Sequence, residues 1–144
     1  MTLRKSLVIV ALVIAATVIE ALAMPMPALR FKGTENYTIG AAHWVRYKLA
    51  VLNWAHFPAP LFTPAPALPP CGANPNSARA WVDIHNGTAP YARIYGFCAL
   101  GSPSDLKTLW FAMPEGTPPP NLVFIKITDR QTGEVKSSNR VATH

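Results

Sequence analysis

Apolar and polar side chains alternate along the stretch Trp44-Val-Arg-Tyr-Lys-Leu-Ala-Val51, and this pattern indicates the fold class. One side of this stretch carries Val45, Tyr47, Leu49 and Val51, and the other side carries Trp44, Arg46, Lys48 and Ala50. Successive side chains of a strand point to opposite faces of a sheet, so a period of two indicates a strand with one buried face. The first strand of the chain is therefore predicted between His43 and Trp54.

Later segments repeat this pattern at short intervals. In residues 79–85, Ala80, Val82 and Ile84 share one side, and Asn86-Gly87 then marks the turn of a hairpin. The other predicted strands are residues 92–100, 106–113, 123–127 and 134–141, with a Gly-containing turn from Asp129 to Gly133. Short strands separated by turns, with no helical periodicity after residue 23, predict an all-β fold, an antiparallel β-sandwich of about six to seven strands.

Residues 1–23 have the three regions of a secretory signal peptide. Arg4 and Lys5 precede an apolar stretch over residues 7–19, and Ala21-Leu-Ala23 supplies a small-residue cleavage site. The apolar stretch is shorter than the roughly 20 residues of a membrane span. We expect a signal helix that is removed after the triplet, a secreted or periplasmic protein, and no membrane span in the mature chain. The alternative is a segment retained as an N-terminal anchor.

The mature chain is long enough for one domain. Residues 24–42 open with Met-Pro-Met-Pro and show little periodicity, which predicts a mobile or loosely docked N-terminal arm before a β-sandwich domain over residues 43–144. Residues 57–70 contain six prolines, a density that excludes a helix or an interior strand. This segment is predicted to be an extended strap whose apolar residues lie over the domain.

The chain has two cysteines, Cys71 and Cys98. In an oxidising compartment an even number of cysteines predicts a disulfide. Closing a loop of this size stabilises a fold by roughly 3 to 4 kcal/mol in the chain-entropy model. We expect the disulfide to tie the end of the strap to the sheet.

Two sets of segments resemble known proteins. The stretch Met113-Pro-Glu-Gly-Thr117, followed by Val123-Phe-Ile-Lys-Ile127 and a Gly-containing hairpin, resembles the end of a fibronectin type III or immunoglobulin-like domain. Residues 70–84, 93–98 and 129–133 are similar to small exported bacterial proteins of no assigned function. These resemblances imply an immunoglobulin-like sandwich and bring no activity with them.

Known catalytic and metal-binding motifs are missing from the sequence. No serine stands in a Gly-x-Ser-x-Gly elbow, and cysteines joined in a disulfide offer no nucleophilic thiol. The four histidines do not fall at His-x-His or His-x-x-x-His spacing. We therefore expect no enzyme activity, no cofactor and no metal site. The alternative is a periplasmic copper handler that uses the histidines together with the thioethers of Met24 and Met26.

The chain is basic, with 13 Lys and Arg against 7 Asp and Glu and a formal net charge of +6. A basic surface favours anionic neighbours. After the predicted cleavage site the basic residues are scattered singly and form no run, so no nucleic-acid partner is expected.

Alternation also predicts an outer face that mixes aromatic and basic side chains. If Val82 and Ile84 face the core, then Trp81 points away from it. The predicted binding residues are Trp81, Arg79, Trp44, Arg46, Phe124 and Lys126, with either Tyr95 and Phe97 or Trp110 as further aromatic members. Aromatic rings with interleaved cations suit stacking on sugar rings, on a peptide strand or on a partner protein.

The function expected from the sequence is that of an exported, non-enzymatic binding or accessory domain. Its expected partner is an unknown protein, a glycan or an anionic envelope surface. The alternatives are a structural subunit of an envelope complex with a retained anchor, and the copper handler described above.

Overall fold

In the computed structural model, residues 23–63, 68 and 78–144 are described. Within these ranges the strands are β1 (Leu29–Ile39), β2 (Ala42–Val51), β3 (Ala80–Asn86), β4 (Arg93–Phe97), β5 (Leu109–Pro114), β6 (Leu122–Asp129), β7 (Val135–Ser137) and β8 (Val141–Ala142). Short 3-10 helices span Trp54–His56, Ala59–Phe62 and Pro103–Lys107. The predicted signal helix over residues 1–22 lies outside the described residues.

The strands form two antiparallel sheets. The first sheet has the order β1-β2-β5 and the second the order β4-β3-β6-β7, with β8 also paired to β6. Strands β7 and β8 pair with successive parts of β6, on the side that β3 leaves free, so they are two segments of one edge. The prediction of an all-β, antiparallel fold is confirmed, and the two sheets agree with a sandwich.

Both sheets contribute their apolar sides to one core. Tyr47 of β2 stacks on Phe111 of β5, with ring centroids 5.0 Å apart. The residues that fill the centre are at most 1% exposed: Leu49, Val51, Ala80, Val82, Ile84, Phe111, Val123, Ile125 and Ile127. The apolar faces predicted from alternation in β2, β3 and β6 are therefore the faces that the fold buries.

The predicted N-terminal arm over residues 24–42 is wrong, because β1 occupies most of it and pairs with β2 along its length. A β-bulge between Phe31 and Gly33 interrupts the alternation. Phe31 packs against the core, whereas Glu35 and Tyr37 beyond the bulge lie on the outer face. Gly33 has a φ of +108°, a conformation that glycine adopts readily. Because the bulge reverses which residues face the core, this strand shows no continuous alternation of apolar and polar residues in the sequence.

The residues that precede β1 are also docked. Met24 is buried in the core, with 5% of its surface exposed. The Asn53 side chain accepts a hydrogen bond from the Ala28 N–H and donates one to the Met26 carbonyl, both at 2.9 Å. Residues 24–28 are thus held against the domain.

The described part of the predicted strap differs from an extended chain. Residues Ala59–Phe62 form a 3-10 helix with a proline near its start, a position where the missing N–H costs no hydrogen bond. The strap was expected to bury its apolar residues, and Leu61 and Phe62 are indeed buried in the core. Residues 64–67 and 69–77 of the strap and the following loop lie outside the described residues.

The predicted disulfide involves Cys71, which also lies outside the described residues. Cys98 follows β4 and is 3% exposed. It is not a free thiol. The pairing with Cys71 stays a prediction.

A buried ion pair joins the start of β3 to the end of β6. Arg79 donates two hydrogen bonds to the Asp129 carboxylate, at 2.6 and 2.7 Å, and the Asp129 side chain is fully buried. The Gln131 N–H donates a further hydrogen bond to this carboxylate, at 3.0 Å. Burial alone would raise the pKa of Asp129, but the hydrogen bonds from Arg79 and Gln131 outweigh it, and the pKa lies below its ordinary value.

We predict that Asp129→Asn lowers the free energy of unfolding by about 3 kcal/mol at neutral pH, because Arg79 would lose its charged partner in a buried site. Since the pKa of Asp129 is lowered by folding, its contribution is complete above the ordinary carboxyl range and fades as pH falls through the folded-state pKa. Urea unfolding at pH 7 and pH 3 should show a smaller difference between wild type and variant at pH 3. Glu115→Gln, at an exposed carboxylate, is the control, and equal stability of Asp129→Asn and wild type at pH 7 would contradict the prediction.

Candidate functional site

The outer face of the first sheet gathers aromatic and charged side chains from three strands. Strand β2 contributes Trp44, Arg46 and Lys48, which alternate with its core residues. The register places Tyr37 opposite Trp44, Glu35 opposite Arg46, and Trp110 opposite Lys48. Side chains directly opposite each other on one face of an antiparallel pair are close enough to interact.

Arg46 lies at the centre of this face. Its guanidinium carbon is 4.6 Å from the centroid of the Tyr37 ring and 4.5 Å from that of the Trp110 ring. Its Nη1 is 3.8 Å from a carboxylate oxygen of Glu35. Its Nε is buried and has no hydrogen-bond partner among the described residues. Two rings and a carboxylate therefore hold this cation in a fixed position.

The aromatic contacts continue from Trp110 onto the second sheet. The Tyr95 ring stacks on Trp110 at 6.2 Å and meets Phe97 edge to face at 4.7 Å. Tyr95 lies on β4 and is 46% exposed. We call this row the aromatic ladder: Tyr37, Arg46, Trp110, Tyr95 and Phe97. It connects the outer face of the first sheet to an edge of the second.

A groove of about 450 Å³ lies beside the aromatic ladder. Its polar lining consists mainly of basic side chains, and we call it the cationic groove: Lys32, Arg46, Lys48 and Lys107, together with Thr108 and Trp110. Glu35 lies 3.9 Å from the Lys48 ammonium as well as near Arg46. One carboxylate thus serves two of four neighbouring cations, which leaves an excess of positive charge.

Local structure explains how distant residues reach the groove. Lys32 is the extra residue of the β-bulge in β1, and a bulge redirects the side chain that it carries. Lys107 ends the 3-10 helix before β5, in which the Asp105 carboxylate accepts hydrogen bonds from the N–H groups of Gly101 and Ser102 at 2.7 and 3.2 Å. The Lys107 ammonium lies 4.6 Å from the centroid of the Trp54 ring.

The six residues predicted to bind a ligand do not form one surface. Trp44 and Arg46 lie on the outer face of the first sheet, beside the cationic groove. Trp81, Phe124 and Lys126 belong to β3 and β6 of the second sheet and alternate with core residues there. The outer faces of the two sheets point away from each other, so the predicted set divides between them.

Arg79, another predicted binding residue, has a structural role. Its guanidinium is occupied by the Asp129 carboxylate, and its side chain is only 14% exposed. Alternation alone could not show this partner, because Asp129 is 50 residues away in the sequence.

Trp81 lies flat against its own sheet. Its indole N–H donates a hydrogen bond to the Asp83 carboxylate. A Cβ at Gly96 on the neighbouring β4 would come within 2.6 Å of the Trp81 ring. The ring is therefore held in place over Gly96, and its contacts with Asp83 and Gly96 account for its position.

Phe124 is covered by its neighbours and is 7% exposed. His85 stacks on the Phe124 ring at 5.3 Å, and Tyr91 meets it edge to face at 6.1 Å. Arg140 and Lys126 place their charges 5.8 and 6.0 Å from its centroid. This ring is not free to stack on a ligand, although a second groove of about 540 Å³ lies beside it.

The two methionines of the copper alternative lie in different surroundings. Met24 is buried in the core, while Met26 is 67% exposed. Within residues 23–63, 68 and 78–144, no three His, Cys, Asp or Glu side chains gather where a metal ion would bind. The same residues include no helix that is both long enough and apolar enough to cross a membrane.

Sequence reasoning missed most of the cationic groove. Lys48 could have been predicted from the sequence, because it shares the polar side of β2 with Arg46. Lys32 and Lys107 could not have been predicted in this way, because a bulge places one of them and packing between separate segments places the other.

No protein-family model, curated protein or solved structure matches the chain. A function for the groove is therefore argued from the charges and contacts of its lining residues.

We predict that Gly96→Ala lowers the free energy of unfolding by about 1 to 3 kcal/mol, since the added methyl group would displace the Trp81 ring. Gly101→Ala is the matched control, because a Cβ there meets its nearest atom at an ordinary 3.6 Å. Thermal and urea unfolding of both variants measure the effect. Equal stability of the two variants would mean that Trp81 does not lie as described.

Proposed function

We propose that the protein is an exported, non-enzymatic binding domain whose cationic groove holds an oxyanion, namely a phosphate, sulfate or carboxylate group of the envelope surface. The observation that carries this proposal is the meeting of Lys32, Arg46, Lys48 and Lys107 around one groove with a single paired acid, Glu35. Charge-assisted hydrogen bonds from such cations to an oxyanion are stronger than those between neutral groups.

The energetic cost of holding several cations close together supports a ligand in this groove. Like charges held close together repel each other, and a fold gains nothing from gathering them. Arg46 is fixed by two rings and Lys107 lies over a third, so these cations are already ordered before a ligand arrives. A preorganised site loses less conformational entropy on binding. The ring of Tyr95, which is 46% exposed, offers a surface for stacking beside the bound group.

The finer fold type is part of this proposal. The orders β1-β2-β5 and β4-β3-β6-β7 correspond to strands A-B-E and C′-C-F-G of an immunoglobulin-like sandwich. Successive strands change sheet between β2 and β3, between β4 and β5, and between β5 and β6, as Greek-key connections do. Small sandwiches of this kind present ligand sites on faces and loops of a rigid scaffold.

Calorimetric titration with a soluble sulfated oligosaccharide tests the groove. We expect binding of dextran sulfate oligomers and none of neutral dextran. The double variant Lys48→Ala/Lys107→Ala should weaken binding about tenfold, because two direct charge-assisted contacts are lost.

The control removes the same charge from the opposite face. Lys126→Ala/Arg140→Ala changes the second groove and should leave the affinity within about twofold of the wild type. Equal weakening by both double variants would show that binding follows net charge alone and would contradict the proposal.

Glu35→Gln should raise the affinity for the same oligosaccharide by about two- to fivefold at low salt, since it removes the carboxylate that competes for Arg46 and Lys48. The gain should shrink at physiological ionic strength, where the screening length is about 8 Å. Titrations at two salt concentrations measure both effects. An unchanged or lower affinity at low salt would count against an anionic ligand.

Export is proposed on the signal-peptide pattern of residues 1–23. Intact-mass measurement of the chain recovered from its natural host should show a start at Met24. Reduction should add about 2 Da if Cys71 and Cys98 are paired. A start at Met1 would support the retained anchor instead.

A further inference from the structure

The turn between β1 and β2 forms an exposed apolar tip. Every residue from Thr38 to His43 is exposed. Ile39 is 63% exposed, and Gly40, with a φ of +58°, turns the chain into Ala41 and Ala42. We call residues 38–43 the hairpin tip. A large apolar side chain at the end of a projecting hairpin has no role in the core of its own domain.

The residues behind the hairpin tip change character in order along the hairpin. Tyr37 and Trp44 form a directly opposed pair on the outer face, two residues behind Ile39 and Ala42. Arg46 and Lys48 of the cationic groove follow on the same face of β2. Apolar, aromatic and cationic side chains thus follow one another away from the tip.

The order of these levels is that of a bilayer surface. At about 3.3 Å per residue, Trp44, Arg46 and Lys48 lie roughly 7, 13 and 20 Å from Ala42 along β2. Apolar segments at a membrane surface enter it by about 5 to 10 Å, while tyrosine and tryptophan rings settle at the headgroup level. Lysine and arginine side chains just above that level are attracted to anionic headgroups.

We propose that the hairpin tip inserts into a phospholipid surface and that the cationic groove binds the headgroup phosphates of anionic lipids there. This inference rests on the proposed function and names the source of its oxyanion. An acidic polysaccharide would engage the groove alone, whereas a lipid surface would also bury the exposed Ile39. Glu115 is the carboxylate at this end of the sheet, and it lies 3.9 Å from His43 in an exposed pair.

Vesicle co-sedimentation of the mature chain tests the proposal. We expect binding to vesicles of phosphatidylcholine with about a third phosphatidylglycerol, and at least tenfold weaker binding to pure phosphatidylcholine. Ile39→Asp should weaken binding to the anionic vesicles about tenfold or more, since burial of an isoleucine side chain is lost and a charge is added. Lipids brominated in their acyl chains should quench tryptophan fluorescence in the wild type and less in Trp44→Phe.

Val135→Asp is the matched control. Val135 is 48% exposed and lies on β7 of the second sheet, away from the cationic groove. This variant should bind the anionic vesicles as the wild type does. Both substitutions are at exposed positions, and thermal unfolding verifies that both variants fold.

The outcomes separate the two proposals. A wild type that binds sulfated oligosaccharide but not anionic vesicles overturns the membrane inference and leaves the groove function in place. Failure of both ligands overturns both proposals. Vesicle binding that Ile39→Asp leaves unchanged, while Lys48→Ala/Lys107→Ala abolishes it, overturns insertion because contact would then be electrostatic only.

Discussion

Strand β2 pairs with β1 on one side and β5 on the other, so neither of its faces can turn without breaking a ladder of hydrogen bonds. Its inward residues Tyr47, Leu49 and Val51 are fixed by the core. The residues between and before them must then face outward, and these are Trp44, Arg46 and Lys48. Burial of one face of β2 therefore fixes the positions of Arg46 and Lys48 on its opposite face. The backbone that carries these groove cations is as rigid as the core.

The protein uses its charges in two physical settings. The Asp129 carboxylate is fully buried, so it requires a partner. Arg79 donates one hydrogen bond to each of its two oxygens. The groove cations keep contact with water, and three of them lie beside an aromatic ring or Glu35. Arg79 contributes to the stability of the fold, whereas the groove cations are available to a ligand. A count of basic residues cannot make this distinction, because burial and partner decide it.

The sequence predicted the strands whose alternation is unbroken, since one buried face enforces a period of two in β2, β3 and β6. It does not reveal β1, where the bulge beside Gly33 shifts the alternation. Nor does it reveal the 3-10 turn at Ala59–Phe62, because proline fits both the start of a helix and an extended chain. For the candidate site, alternation correctly places Trp44 and Arg46 on the outer side of β2. It could not tell that the outer faces of β2 and β3 belong to different sheets, because the pairing of strands depends on contacts distant in sequence.

The bulge that hid β1 also completes the site. Ahead of it, odd-numbered residues such as Phe31 face the core, and beyond it odd-numbered Glu35 and Tyr37 face outward. Without the extra residue, Tyr37 would lie on the core side, and Arg46 would lose one of its two rings and its carboxylate. The same shift sets Tyr37 beside Trp44 just behind the exposed Ile39. One inserted residue in β1 thus places Glu35, Tyr37 and Ile39 on the same face as Arg46 and Lys48 of β2.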